Sequence, residues 1–173
     1  MSDVIPSDDA TSFCRIDGVP GTRTLEFSAF AWPTPALSGP TWPSAPGAVR
    51  YGPQQRPLLL HFAPGRWLAP DPDTEIGALL EGAAQAAAGA VVEVTGKWRA
   101  LQISGPGASH LLACTIAVEA VLTDRDGAAL TLFDCPAILA RVPDGYSVWV
   151  QASYATDFDL TAQRFRSSFE RPP

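Results

Sequence analysis

Between positions 90 and 112 the chain reads AVVEVTGKWRALQISGPGASHLL, and the rhythm of apolar and polar residues changes three times along it. Val91, Val92 and Val94 form a short β-branched run that Gly96-Lys97 breaks. From 98 to 104 the positions alternate with the period of a strand, and Gly105-Pro106-Gly107 then turns the chain into a helical patch ending at Leu111-Leu112. The stretch predicts two strands, a tight turn and a helix start. Strands this apolar are expected at the centre of a sheet with the helix packed on it.

The rest of the chain adds elements around that centre. Residues 24–30 set Leu25, Phe27 and Ala29 against Thr24, Glu26 and Ser28, a half-buried strand. Residues 58–62 and 66–69 form a strand pair around Ala63-Pro64-Gly65. A helix follows, with Asp71 as N-cap, Pro72 in the first helical position and Gly89 just past its end. Its apolar stripe is Ile76, Leu79, Leu80, Ala83, Ala84 and Ala87. Residues 115–123 read as extended and Asp124-Arg125-Asp126-Gly127 as a turn. Strands are predicted over 128–133, 137–142 and 146–151, with a bulge or bend at Asp134-Cys135-Pro136 and a hairpin at Pro143-Asp144-Gly145. Tyr154, Phe158, Ala162, Phe165 and Phe169 share one face of a final helix. Seven or eight strands and three helices, not strictly alternating, predict an α+β fold on a mixed, largely antiparallel sheet.

Two stretches resist this patterning. Residues 1–21 are rich in Ser, Asp, Pro and Gly, which predicts a frayed arm ahead of a single domain over 22–173. Residues 31–57 form a Pro-rich loop, because prolines remove ladder donors and forbid a helix. Within it Trp32 and Trp42 either dock the loop onto its own domain or project onto a partner, docking being the favoured alternative.

Composition sharpens the picture of partners. At 173 residues the chain is long enough to bury roughly 70% of its unfolded surface in one core. Charged residues make up only 17%, which suggests surface hidden in a partner, with Trp32, Trp42 and Trp67 as interface candidates. The net charge of −6 disfavours nucleic acid and anionic membrane surfaces. No signal-peptide pattern and no apolar run of spanning length is present, so a cytoplasmic protein is expected. Cys14, Cys114 and Cys135 lack any C-x-x-C or Cys/His spacing and read as reduced thiols.

No motif demands a reaction. Gly96-Lys97 has Trp98 where a P-loop needs a hydroxyl and no glycine five residues before Gly96, and Gly105-Pro106-Gly107 lacks the dinucleotide-binding spacing. Ser109 and His110 are neighbours that point apart on a helix, and His61 sits in a strand pattern. Two histidines without clustered carboxylates do not support metal catalysis.

The series V-x-V-T-x-x-W-x-x-L-x-I-x-G-P-x-A-x-x-L-L, from Val92 to Leu112, resembles the gamma subunit of heterotetrameric sarcosine oxidase, which is related to the folate-binding aminomethyltransferase fold. Phe62-Ala63-Pro64-Gly65-Arg66-Trp67-Leu68 and Cys135-Pro136-Ala137-Ile138-Leu139 extend the likeness over about 58–169. It implies a non-catalytic subunit packed against larger flavin-containing subunits, with FAD, FMN, NAD and tetrahydrofolate belonging to those partners and no cofactor bound by this chain. The carboxylate and glycine pair of the catalytic aminomethyltransferases have no counterpart; Asp134 is the nearest acid, and Glu93 stands where many relatives have Asp. A free-standing folate-binding-like small-ligand protein, as a monomer or a homodimer, is the alternative, and an enzyme using Asp134 or His110 is a third reading.

Overall fold

The computed structural model describes residues 13–20, 23–30, 37 and 42–169, and these form two five-stranded antiparallel sheets and four α-helices, the expected α+β class. The strands are β1 (Arg15–Gly18), β2 (Thr24–Ser28), β3 (Val49–Tyr51), β4 (Pro57–Ala63), β5 (Arg66–Pro70), β6 (Ala90–Glu93), β7 (Trp98–Ser104), β8 (Gly127–Leu132), β9 (Cys135–Val142) and β10 (Gly145–Gln151). The helices are α1 (Thr74–Ala86), α2 (Ala108–Ala113), α3 (Val118–Val121) and α4 (Ala155–Phe169). One sheet runs β1-β7-β10-β9-β8 and the other β3-β4-β5-β2-β6.

Strand alternation turns these sheets into the middle of four layers. Leu60 and Leu68 from the second sheet meet Ile138, Ala140 and Trp149 from the first. On the outer face of the first sheet, Ile103, Leu139 and Val148 pack under Leu111, Val118 and Phe158 of α2, α3 and α4. On the outer face of the second, Phe27, Leu59 and Trp67 pack against Ile76 and Leu80 of α1. Each sheet therefore carries an apolar patch on both of its faces, because each is covered on both sides.

Local chemistry sets the element ends. Asp73, not Asp71, caps α1: its carboxylate accepts from the Ile76 amide at 2.8 Å, which leaves Pro72 outside the helix. At the other end Ala88 takes the left-handed conformation (φ 46°) and the Gly89 amide donates to the Ala84 carbonyl at 2.8 Å. Gly89 is needed for room rather than for φ, since a Cβ there would lie 2.6 Å from the Phe27 ring. The expected bend at Asp134-Cys135-Pro136 is a two-residue hairpin in which Phe133 (φ 49°) and Asp134 (φ 62°) both adopt left-handed backbone. Pro136 is tolerated because β10 pairs with β9 only from Ala137 onward.

Several expectations are corrected. Residues 15–18 of the predicted arm pair with β7, held by ladder bonds and by burial of Cys14, while residues 1–12 lie outside the described residues. The Pro-rich stretch contributes β3, and its Trp42 lies in the core around α1. Only β7 of the central pair sits inside a sheet; β6 is an edge strand of the other, with Val92 54% exposed. Residues 115–123 contain α3, because Val118, Val121 and Leu122 recur at helical spacing and Val118 and Leu122 are buried. In the final helix Ala155, Phe158 and Ala162 are buried, Phe165 and Phe169 are partly exposed, and Tyr154 precedes it.

Candidate functional site

Among the described residues a wide, open groove of about 770 Å³ lies where the β9–β10 turn, the loop before α2 and the start of β8 converge. Its lining includes Tyr51, Pro106, Ser109, Asp126, Arg141 and Tyr146. Gly105 (φ 98°) turns the chain out of β7, and its amide donates to the Asp144 carbonyl at 3.1 Å, joining the two walls. The Pro143-Asp144 turn puts Tyr146 opposite Arg141 across the β9–β10 ladder, with the guanidinium 5.9 Å from the ring centre.

A polar network crosses the floor. The Tyr146 hydroxyl donates to Glu119 Oε1 at 3.0 Å and lies 2.9 Å from Ser109 Oγ, which is itself 3.2 Å from Glu119 Oε1. Arg141 donates to Glu119 Oε2 at 3.1 Å, and the Tyr51 hydroxyl donates to the Arg141 carbonyl at 2.7 Å. The Tyr146 and Arg141 hydrogen bonds hold the Glu119 carboxyl below its ordinary range. Burial pushes both tyrosine hydroxyls up. Glu119 is therefore an ionised, fully engaged acceptor, a poor general base for Ser109, and the network clamps α2 and α3 to the first sheet. Among the described residues no group of His, Cys, Asp and Glu is arranged to hold a metal ion.

A second charged centre lies on the other sheet. Glu26, 6% exposed on β2, receives hydrogen bonds from Arg66 and, at 2.7 Å, from Lys97 Nζ. Burial works to raise its carboxyl, but these two cations outweigh it and hold it below the usual range. The cations rest on aromatic rings, Arg66 at 5.0 Å from Phe62 and Lys97 at 5.3 Å from Trp98.

No protein-family model matches the sequence, nor does any curated protein. The fold, however, is shared with a solved protein. It is similar to a chain of heterotetrameric sarcosine oxidase. That chain, from the Corynebacterium sp. U-96 enzyme in complex with pyrrole 2-carboxylate, superposes with a TM-score of 0.75 at 20% identity. The match covers 92% of this chain and 87% of that one, so the two are of similar length. It reaches beyond the 58–169 stretch that carries the sequence resemblance.

Within this sarcosine-oxidase-like fold the predicted residues scatter. Trp67 is fully buried and donates to the Pro43 carbonyl at 2.9 Å. Trp42 is 6% exposed, with ring centres 5.7 Å from Phe27 and 5.2 Å from Trp67. Both are interior side chains of this chain, which corrects their assignment to a partner surface; the apolar volume between β2, β5 and α1 claims them first. Trp32 lies outside the described residues. His61 is buried and stacks on Trp67 at 4.3 Å. Ser109 joins the groove network while its neighbour His110 turns to Phe13 at 5.8 Å, and Asp134 sits in the β8–β9 turn. Glu119, Arg141 and Tyr146 were missed. The Pro143-Asp144-Gly145 hairpin would have revealed the Arg141–Tyr146 pair, since a two-residue turn fixes which residues face each other.

Among the described residues no helix is long and apolar enough to cross a membrane.

Proposed function

We propose that this chain is a non-catalytic small subunit of a sarcosine-oxidase-type complex, resembling the gamma subunit, and that it packs against larger flavin-containing subunits. The observation that carries this reading is the mutual coverage of the match: nearly all of this chain corresponds to nearly all of one chain of a heterotetramer, rather than to a lobe of a larger one. The groove chemistry is consistent, because the Glu119 carboxylate is already paired with Arg141 and hydrogen-bonded by Tyr146. On this reading FAD, FMN, NAD and tetrahydrofolate are held by the partner subunits. The test is to co-express the chain with the flavin-containing large subunits of a sarcosine-oxidase-type complex from the same genome. A stable complex with flavin absorbance, lost sarcosine oxidation when this chain is omitted and no flavin on the chain alone are expected. Failure to co-purify refutes the proposal.

The open 770 Å³ groove favours a second reading, a free-standing small-ligand protein. Titration of the isolated chain with tetrahydrofolate separates the two: no saturable heat is expected of an assembly subunit, whereas micromolar binding, about −8 kcal/mol, favours the alternative.

A further inference from the structure

Among the described residues, β6 is the one sheet edge left undefended. β1 carries Arg15 and Asp17, which keep an approaching strand solvated, and β3 is three residues long with a register shift after Arg50. β8 is bonded at its start to the Gly47 segment, the Gly127 amide donating to the Gly47 carbonyl at 2.9 Å. β6 has neither proline nor bulge, and its one acid, Glu93, is paired with Arg23 at 3.1 Å.

Register shows which groups face outward. The Val94 amide donates to the Thr24 carbonyl, so Val92 and Ala90, opposite Glu26 and Ser28, bond inward to β2. The amides and carbonyls of Val91 and Glu93 therefore point to the open side, where β6 has no strand neighbour among the described residues. Side chains on the face of Val92 complete the surface. Glu26 lies directly across from Val92, Ser28 follows on the same face, and Phe30, two residues past the end of β2, is 78% exposed. On that face Arg66 and Lys97 share one carboxylate, Glu26, a surplus of one positive charge on a chain of net −6.

From these features we propose that the β6 edge is the docking site for an extended strand of a protein partner, which adds to the second sheet and carries apolar and acidic side chains on the Val92 face. The unpaired backbone row selects a strand, Val92 and Phe30 select apolar side chains beside it, and the cationic surplus selects carboxylates. This deepens the subunit reading and rests on it.

The experiment uses the complex of this chain with its co-expressed large subunits. Amide hydrogen exchange at Val91 and Glu93 should be fast in the free chain and slow at least tenfold in the complex. Val92→Glu, a change at an exposed position, should weaken assembly at least tenfold with an unchanged melting temperature. Leu160→Glu, on the exposed side of α4, should assemble normally. If the wild-type complex forms but the two amides exchange as before and Val92→Glu assembles normally, the edge assignment is wrong while the subunit reading stands. If the same protection develops in the isolated chain as its concentration rises, the occupant is a second copy and the proposed partner is wrong. If no complex forms, both fall.

Discussion

Replacing Trp67 with Ala separates an interior tryptophan from a partner-facing one. The side chain is fully buried, stacks on His61 at 4.3 Å, lies 5.2 Å from both Phe27 and Trp42, and donates to the Pro43 carbonyl. Truncating a buried Trp costs about 3–5 kcal/mol, and leaving the Pro43 carbonyl without its donor adds about 1 kcal/mol. Against a total stability of about 5–15 kcal/mol this is a large share, and at about 2–4 °C per kcal/mol it lowers Tm by roughly 8–24 °C. Urea denaturation of the isolated chain measures the loss, and co-purification with the large subunits at a temperature where the variant stays folded measures assembly. The expected pattern is a much lower unfolding midpoint with assembly retained. A variant that keeps its midpoint within about 1 kcal/mol yet fails to assemble would refute the reasoning, because Trp67 would then be acting on a partner.

Trp42→Phe should change stability by less than about 1 kcal/mol in chemical denaturation, since the Trp42 Nε1–H is buried without a hydrogen-bond partner among the described residues and its removal offsets the smaller ring. Burial holds the His61 imidazole below its ordinary value of 6.5, so the unfolded chain takes up a proton first; stability is full above pH 6.5, falls as pH drops through the lowered value, and His61→Phe should flatten that slope between pH 7 and 5 in urea titrations. Gly145→Ala should cost more than about 2 kcal/mol by the same measurement, because its φ is 146° and the new Cβ would meet the Ile103 carbonyl oxygen at 2.1 Å.

The periodicities that marked α1, β7 and the β9–β10 hairpin were readable because they are local: a cap, an alternation, a turn. Strand partnership is not local, and this is where reading the chain stopped short. β6 and β7 follow one another across a turn closed by the Lys97 amide on the Val94 carbonyl, yet they enter different sheets. Their side chains alternate in the same way whichever sheet they join. Arg15–Gly18 looked unable to order itself because its stabilisation comes from β7, more than eighty residues away. Glu119 went unnoticed because Val118, Val121 and Leu122 fit a helix as well as an extended segment, and only their shared burial under the first sheet decides between them.

The low charge content also acquires a different explanation. In a two-layer α+β domain one face of the sheet meets water and carries polar residues; here Leu60, Leu68, Ile138, Ala140 and Trp149 fill that position because the two sheets cover each other. The 17% of charged residues follows from four layers in a chain of 173 residues, without any need for a broad apolar docking face among the described residues. The exposed large apolar side chains are few and scattered, with Phe30, Leu160 and Val92 the most open among the described residues. On the proposed docking a partner is held chiefly by backbone hydrogen bonds along β6 and by the Arg66 and Lys97 rim, and these two contributions respond differently to salt. Raising NaCl from about 50 to about 500 mM shortens the Debye length from roughly 14 to roughly 4 Å, so assembly through the rim should weaken severalfold, mainly through slower association. An apolar interface would hold or tighten under the same change. Surface plasmon resonance on the co-expressed subunits reads the difference directly, and an association rate independent of salt would remove the charged rim from the interface.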